Sequence, residues 1–187
     1  MTRTFVAVYP DDAARESIAA FVAEAAGRSG PQVRWTRVDQ LHLTLRFFGD
    51  LDEVALAAAG EALSRTASTA PPFDLSLETI GAFPDWRRPR VVWLGAAAGG
   101  DRLQALAMVL ESAFEAAGLG RADKPFRAHL TLGRVRAGGP PASGLDFLLA
   151  ARPVIPAFRV DSVALVGSRL GPAGATHTPI RVERLGG

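Results

Sequence analysis

The chain holds three histidines, and two of them stand in the same four letters, His-Leu-Thr-Leu, at His42–Leu45 and again at His129–Leu132. An imidazole with an ordinary pKa near ~6.5 gives or takes a proton close to neutrality, and a threonine hydroxyl, stiffened by β-branching, donates to an oxygen held nearby. In an extended segment alternate residues share a face. His42 and Thr44 therefore point one way while Leu41, Leu43, Leu45 and Phe47 point the other. The same rule sets His129 and Thr131 against Leu130 and Leu132. If the two His/Thr faces meet across one cleft, two imidazoles and two hydroxyls surround a tetrahedral anion such as phosphate. One imidazole would take a proton from water and the other would give one to a departing alkoxide, each positioned group contributing roughly 10²–10⁴-fold.

Arg127 lies two residues before His129 and so shares its face, where a guanidinium would pair with non-bridging phosphate oxygens. The first copy has Gln40 at the matching place and Arg46 two residues beyond Thr44. The two copies thus sit in unequal settings, as a reaction with distinct attacking and leaving sides requires. A single His-x-Thr strand is ordinarily a half-buried histidine beside a strand-favouring threonine. With ten threonines in 187 residues, Thr at +2 after two of three histidines arises by chance about 1% of the time. The third histidine, His177 in THTPI, departs from the pattern and reads as a turn or edge-strand residue.

Other chemistries lack their residues. A metal centre wants three or more protein ligands, and the chain has no cysteine and only the two patterned histidines. No G-x-S-x-G, Walker or G-x-G-x-x-G pattern occurs, which leaves a serine hydrolase, a P-loop enzyme or a dinucleotide binder without footing. Neither a metal nor a cofactor is expected.

The elements that must position these residues follow from periodicity. Thr4–Tyr9 reads as a buried strand, and Pro10-Asp11-Asp12 starts a helix carrying Ile18, Phe21, Val22 and Ala25. After a break at Gly27–Pro31, strands are expected at Val33–Trp35 and Leu41–Phe48. Gly49-Asp50 should end the latter before a helix from about Asp52 to Thr66. Phe73 to Thr79 alternates as one half-buried strand, the loop GAFPDWRRP follows, and Arg90–Leu94 is again a strand. Leu103, Leu106, Ala107, Leu110 and Phe114 mark a helix closed by Gly118, and the second His-Leu-Thr-Leu strand comes after Lys124-Pro125. Beyond the connection RAGGPPASG, a short helix is expected over Leu145–Ala151, then strands at Phe158–Val166 and Ile180–Leu185. The order suggests a duplicated α+β unit in one domain, 1–187, with similar halves of roughly 1–90 and 91–187.

The length and apolar content suit one buried core. Absent cysteine fits a reducing compartment, and no leader-like or membrane-spanning apolar run appears, so the chain reads as cytoplasmic. The net charge is only +2, from 20 arginines and one lysine against 19 acids. Arginine suits phosphate, yet abundant Ala, Gly and Pro point to a base-composition bias, so charge permits an anionic substrate without identifying one.

Paired H-x-T-x motifs in two halves resemble the two-histidine phosphoesterase superfamily. The stretches FVAVYPDD, VRWTRVDQLHLTLRFFGD, GAFPDWRRPRVVWLG, KPFRAHLTLGRV and SRLGPAGATHTPI are similar to the bacterial RNA 2',3'-cyclic phosphodiesterases, long called 2'-5' RNA ligases. The resemblance implies an α+β fold of two pseudo-symmetric lobes around a central cleft, each a mainly antiparallel sheet with helices on its outer face. It implies metal-independent hydrolysis of a 2',3'-cyclic phosphate to a 2'-phosphomonoester, possible reversal to 2'-5' ligation, His42 as proton donor and His129 as proton acceptor. Thr44 and Thr131 would hold the phosphate, with Arg127 a further contact and Arg169 a candidate one. Gly167, where an acid is expected, and Ala128, where proline is usual, depart from the pattern. The partners implied are RNA ends or small nucleotides bearing a cyclic phosphate, with no membrane and no obligate protein partner, the chain being a monomer. Trp35 and the GAFPDWRRPR loop are candidate contacts to RNA. A non-catalytic RNA-end or nucleotide-binding module is the alternative.

Overall fold

The computed structural model describes residues 1–136, 145–171 and 174–186. Ten strands and four helices follow in the order β1 (Thr2–Val8), α1 (Asp12–Ser29), β2 (Val33–Trp35), β3 (Leu43–Leu51), α2 (Glu53–Ala67), β4 (Phe73–Leu75), β5 (Leu77–Phe83), β6 (Val91–Ala96), α3 (Gly100–Ala116), β7 (His129–Val135), α4 (Phe147–Ala150), β8 (Phe158–Val160), β9 (Ser162–Gly171) and β10 (Gly174–Arg184). Asp11 and Asp52 start α1 and α2, their carboxylates accepting from the amides of Ala14 (2.9 Å) and Ala55 (2.8 Å).

The expectation of an α+β fold holds, but the sheet is organised differently from two separate lobes. Seven strands run in the order β10-β9-β1-β3-β7-β6-β5, with β2 paired to β7 as the eighth, and every recorded pairing is antiparallel. The sheet is curled like half of a barrel. Its two sides meet at one residue pair, Leu43 with Leu130. Each side draws strands from both ends of the sequence: β9 and β10 return beside β1, while β2 and β5 join β6 and β7.

The helices lie over one face. A single large core joins Ile18 of α1, Leu63 of α2 and Leu103, Leu110 and Phe114 of α3 to Val6, Val8, Leu43, Leu94, Leu130 and Leu132 of the sheet and to Leu41 just before β3. The opposite face carries only a small buried group, Phe5, Ala7, Ala164 and Val166, against which Tyr9 packs.

Several boundaries differ from expectation for identifiable reasons. β3 begins after His42 and runs through Gly49-Asp50, because Gly49 adopts φ +78° at a bulge against β1 rather than ending the strand. The single alternating strand expected over Phe73 to Thr79 divides at Ser76. Its first part, β4, pairs with β8 in a separate two-stranded sheet. Phe158–Val166 divides likewise at Asp161, whose carbonyl is taken by the amide of Leu185 (2.8 Å). β10 is longer than Ile180–Leu185 and sweeps in His177 and Pro179, which the edge position tolerates. The GAFPDWRRP segment is only partly loop, since Gly81–Phe83 ends β5. Most of the RAGGPPASG connection lies outside the described residues. Among the described residues no helix is long and apolar enough to cross a membrane.

Candidate active site

Leu43 and Leu130 are wholly buried on the helix-covered face, and they face each other across the seam between β3 and β7. Strand alternation therefore turns His42, Thr44, His129 and Thr131 to the opposite, concave face, where all four are half-buried. The seam is antiparallel. Extending its register sets His42 beside the Thr131 end and Thr44 beside the His129 end, so each histidine stands near the other copy's threonine.

Both imidazoles are fixed by the same local device. His42 Nδ1 lies 2.6 Å from the carbonyl oxygen of Gln40, and His129 Nδ1 lies 2.7 Å from that of Arg127. A carbonyl only accepts, so each Nδ1 carries the proton and donates it. Each Nε2 is left as the nitrogen available for acid–base work. Gln40 in turn donates through its side chain to the carbonyl of Ala175 in β10, tying the turn before His42 to the edge strand.

Beyond this shared device the surroundings differ. The His42 ring stacks on Phe5 of β1 (centroids 4.9 Å, 28°), approaches Tyr9 at 6.0 Å, and meets the edge of His177 at 5.2 Å and 82°. Burial pushes the His42 imidazole down to about 4. The Gln40 carbonyl opposes this, and any positive charge on His177 or His129 adds to it. The His129 ring meets Phe83 of β5 edge-on at 4.9 Å and Trp93 of β6 at 6.3 Å. Its proton affinity is also lowered, first by burial and then by the Arg127 and Arg134 guanidinium groups, against the raising effect of the Arg127 carbonyl.

Trp93 is seated by two glycines. Its indole lies so close over Gly81 that a Cβ there would stand 2.1 Å from the ring, and one on Gly95 would stand at 2.9 Å. Trp93 pairs across the ladder with Thr131, and Gly95 with His129, so this flat aromatic surface adjoins the site.

Arg127 is exposed and reaches over the Phe83 ring (5.6 Å), with no ion-pair partner among the described residues. It helps line a recess of about 310 Å³ together with Thr44, Arg46, Lys124 and His129. Arg46 is not a free phosphate contact. It is buried, and its guanidinium is taken by Glu111 of α3 and by the carbonyl of Gly120 at 3.1 Å. Arg46 thereby props the segment that delivers Arg127 and His129.

Arg169 is not brought to the site. It precedes Leu170 near the end of β9, its neighbour in register is Thr176, and it lines a surface recess with Met1, Thr2, Arg3 and Asp50. Trp35 is part of the packing: it lies against the core and its indole N–H donates to Ser29 Oγ at 3.1 Å. In the 84–90 loop Trp86 also packs on the core, and Asp85 accepts from the amides of Arg87 and Arg88.

His177 lies on the edge strand, as the sequence suggests, yet its ring is in the site, in contact with His42 and Phe5. No motif marks it. Trp93 and Phe83 carry no motif either, although the alternation of buried Val92 and Leu94 in VVWLG is enough to turn Trp93 toward the cleft. Among the described residues no three His, Asp or Glu side chains are gathered to hold a metal ion.

Residues 9–172 match the 2'-5' RNA ligase superfamily. The chain is 37% identical over 180 residues to an RNA 2',3'-cyclic phosphodiesterase of Archaeoglobus fulgidus, covering 96% of this chain and 98% of that protein. Among solved structures, TT0787 of Thermus thermophilus superposes with a TM-score of 0.83 at 29% identity, over 99% of this chain and 98% of that one. E. coli LigT complexed with 3'-AMP superposes with a TM-score of 0.75 at 28% identity, over 98% of this chain and 97% of that one. The chain belongs to the 2'-5' RNA ligase superfamily.

Proposed function

We propose that the protein is an RNA 2',3'-cyclic phosphodiesterase that opens the cyclic phosphate to a 2'-phosphomonoester without a metal ion. The phosphate sits in the cleft where two sides of the sheet face each other like paired lobes. His129 Nε2 takes a proton from the attacking water, and His42 Nε2 gives one to the departing 3'-oxygen. Thr44, Thr131 and Arg127 hold the non-bridging oxygens. The observation that carries this reading is the repeated histidine geometry. On each side of the Leu43–Leu130 pair an Nδ1–H is tied to the carbonyl two residues back, leaving Nε2 free.

The role of His42 as acid must be reconciled with its low proton affinity before substrate binds. A unit negative charge about 4 Å away, at an effective dielectric of about 20, contributes about 4 kcal/mol, equivalent to about 3 pKa units. That is enough to carry an imidazole from about 4 to near neutrality. The substrate's own phosphate charge thus loads the acid that will cleave it. His129, held down by burial and further by the Arg127 and Arg134 guanidinium groups, is the proton acceptor. With a ribose hydroxyl in place of water, the same groups run the reaction backward to a 2'-5' linkage.

The test is a product assay on an RNA bearing a 2',3'-cyclic phosphate end. A 2'-phosphate should appear, unaffected by EDTA, and His42→Ala or His129→Ala should slow its appearance by roughly 10²–10⁴-fold. A 3'-phosphate product, or loss of turnover on chelation, would contradict the mechanism. Tight binding of such ends without turnover would establish a binding module instead.

A further inference from the structure

His177 is the remaining histidine, and its placement is specific. It projects from β10 on the same face as Phe5, meeting that ring edge-on (5.0 Å, 72°) and the His42 ring at 5.2 Å, nearly perpendicular. The three rings form one group, with Tyr9 on its rim. His177 Nδ1 is buried and has no hydrogen-bond partner among the described residues. A packing residue would have no use for a titratable ring with a buried nitrogen left unpaired against the proton donor.

Two imidazoles this close resist carrying two positive charges at once. The charged and titratable groups around them decide which is loaded first. Burial lowers the proton affinity of His177, and Asp39, from the turn before His42, opposes this by favouring charge there, although Arg37 engages that carboxylate at 2.8 Å. Tyr9, from the end of β1, lies near Arg15 of α1. His129 faces His42 from β7, and any charge there opposes charge on His42. His177 is the less deeply buried of the pair and, among the described residues, the one of the two with a carboxylate acting on it, so on acidification the first proton goes to His177.

We propose that His177 and His42 work as one coupled pair, with His177 the positioning residue whose charge sets when the general acid is loaded and how readily it gives up its proton. Before substrate binds, once the pH is low enough to charge His177, the pair holds one proton, on that ring. Arrival of the phosphate anion brings a second, onto His42. Beside a charged His177 that second proton is held weakly and passes easily to the leaving oxygen.

The proposal rests on His42 being the acid, but its test needs no turnover. The imidazole resonances of His42 are followed by NMR against pH in the full-length protein, in His177→Gln and in His177→Phe. The first variant keeps a polar side chain and the second keeps an aromatic one against Phe5. Removing the neighbouring charge should raise the His42 midpoint in both, by about half a unit or more above the wild-type value. A packing role would leave His177→Phe titrating as wild type. A His42 midpoint that is unchanged or lowered in either variant overturns the proposal. If the midpoint rises as expected while no cyclic phosphate is turned over by the wild type, the coupling stands and the proposed reaction falls.

Discussion

The two His-Leu-Thr-Leu strands share their letters, their buried leucines and the tie from Nδ1 to the carbonyl two residues back, yet their neighbours differ in kind. The His42 side is aromatic and closed, with Phe5 beneath the ring and a second imidazole at its edge. The His129 side is more open and cationic, with Arg127 over Phe83 and Lys124 in the adjoining recess. Both environments lower proton affinity, chiefly by burial. Around His42 burial dominates, so an anion placed in the cleft restores it. Around His129 fixed guanidinium groups add to burial and persist whatever is bound. In the proposed mechanism one tetrapeptide serves as acid and as base because the strands beside it are not duplicated.

Removing either imidazole should give the largest effect. His42→Ala and His129→Ala are each expected to lose roughly 10²–10⁴-fold in kcat on a cyclic phosphate, with the far-ultraviolet circular dichroism unchanged. A variant that keeps most of its rate would remove its histidine from the chemistry.

Arg127→Ala separates the two sides next. Loss of a charge aimed at the phosphate should cost about 10²-fold in kcat/KM. It should also raise the affinity of His129 for its proton, because that guanidinium lowers it. A base works only when deprotonated, so the acidic limb of the pH–rate profile should move to higher pH. An unmoved limb would mean that Arg127 does not govern His129.

Stability should report the closed side. His42 binds its proton less readily in the folded chain, at about 4, than in the unfolded one, at ~6.5, so stability is intact above the unfolded value. It should fall as pH drops from about 6.5 to about 4, by about 3 kcal/mol from this group. Urea denaturation at the two pH values should show that loss in the wild type and a smaller one in His42→Gln. Equal losses would mean that His42 is not held neutral by burial.

The smallest expected effects come from the hydroxyls. Thr44→Val and Thr131→Val each delete one neutral hydrogen bond while keeping β-branching, and each should cost up to about tenfold in kcat/KM. A much larger loss from one of them alone would show that the phosphate is held from one side.

The legible part of this site lay in the strand period. Alternation alone placed His42, Thr44, His129 and Thr131 on one face and their leucines in the core, and the placement holds. It could not reveal that Leu43 and Leu130 form the ladder pair that joins two sides of one sheet, since that pairing is between residues distant in the chain. Nor could it reveal that Arg46, two residues beyond Thr44, is buried and meets Glu111 across the fold. His177 carries no motif to mark it as a site residue, and reaches the site through the register of β10 on β9 and β9 on β1. Gly49 looked like a strand end and proved to be a bulge within one, because a glycine permits both and only the partner strand decides.

The division of labour between the two histidines is tested most directly with a leaving group that needs no proton. His42→Ala and His129→Ala are compared on a ribonucleoside 2',3'-cyclic phosphate and on an aryl ribonucleoside 2'-phosphodiester whose phenolate departs unaided. The His42→Ala deficit should shrink nearly to wild type on the aryl ester while the His129→Ala deficit remains. Rescue of His129→Ala instead, or equal deficits on both substrates, would contradict the assignment of acid and base.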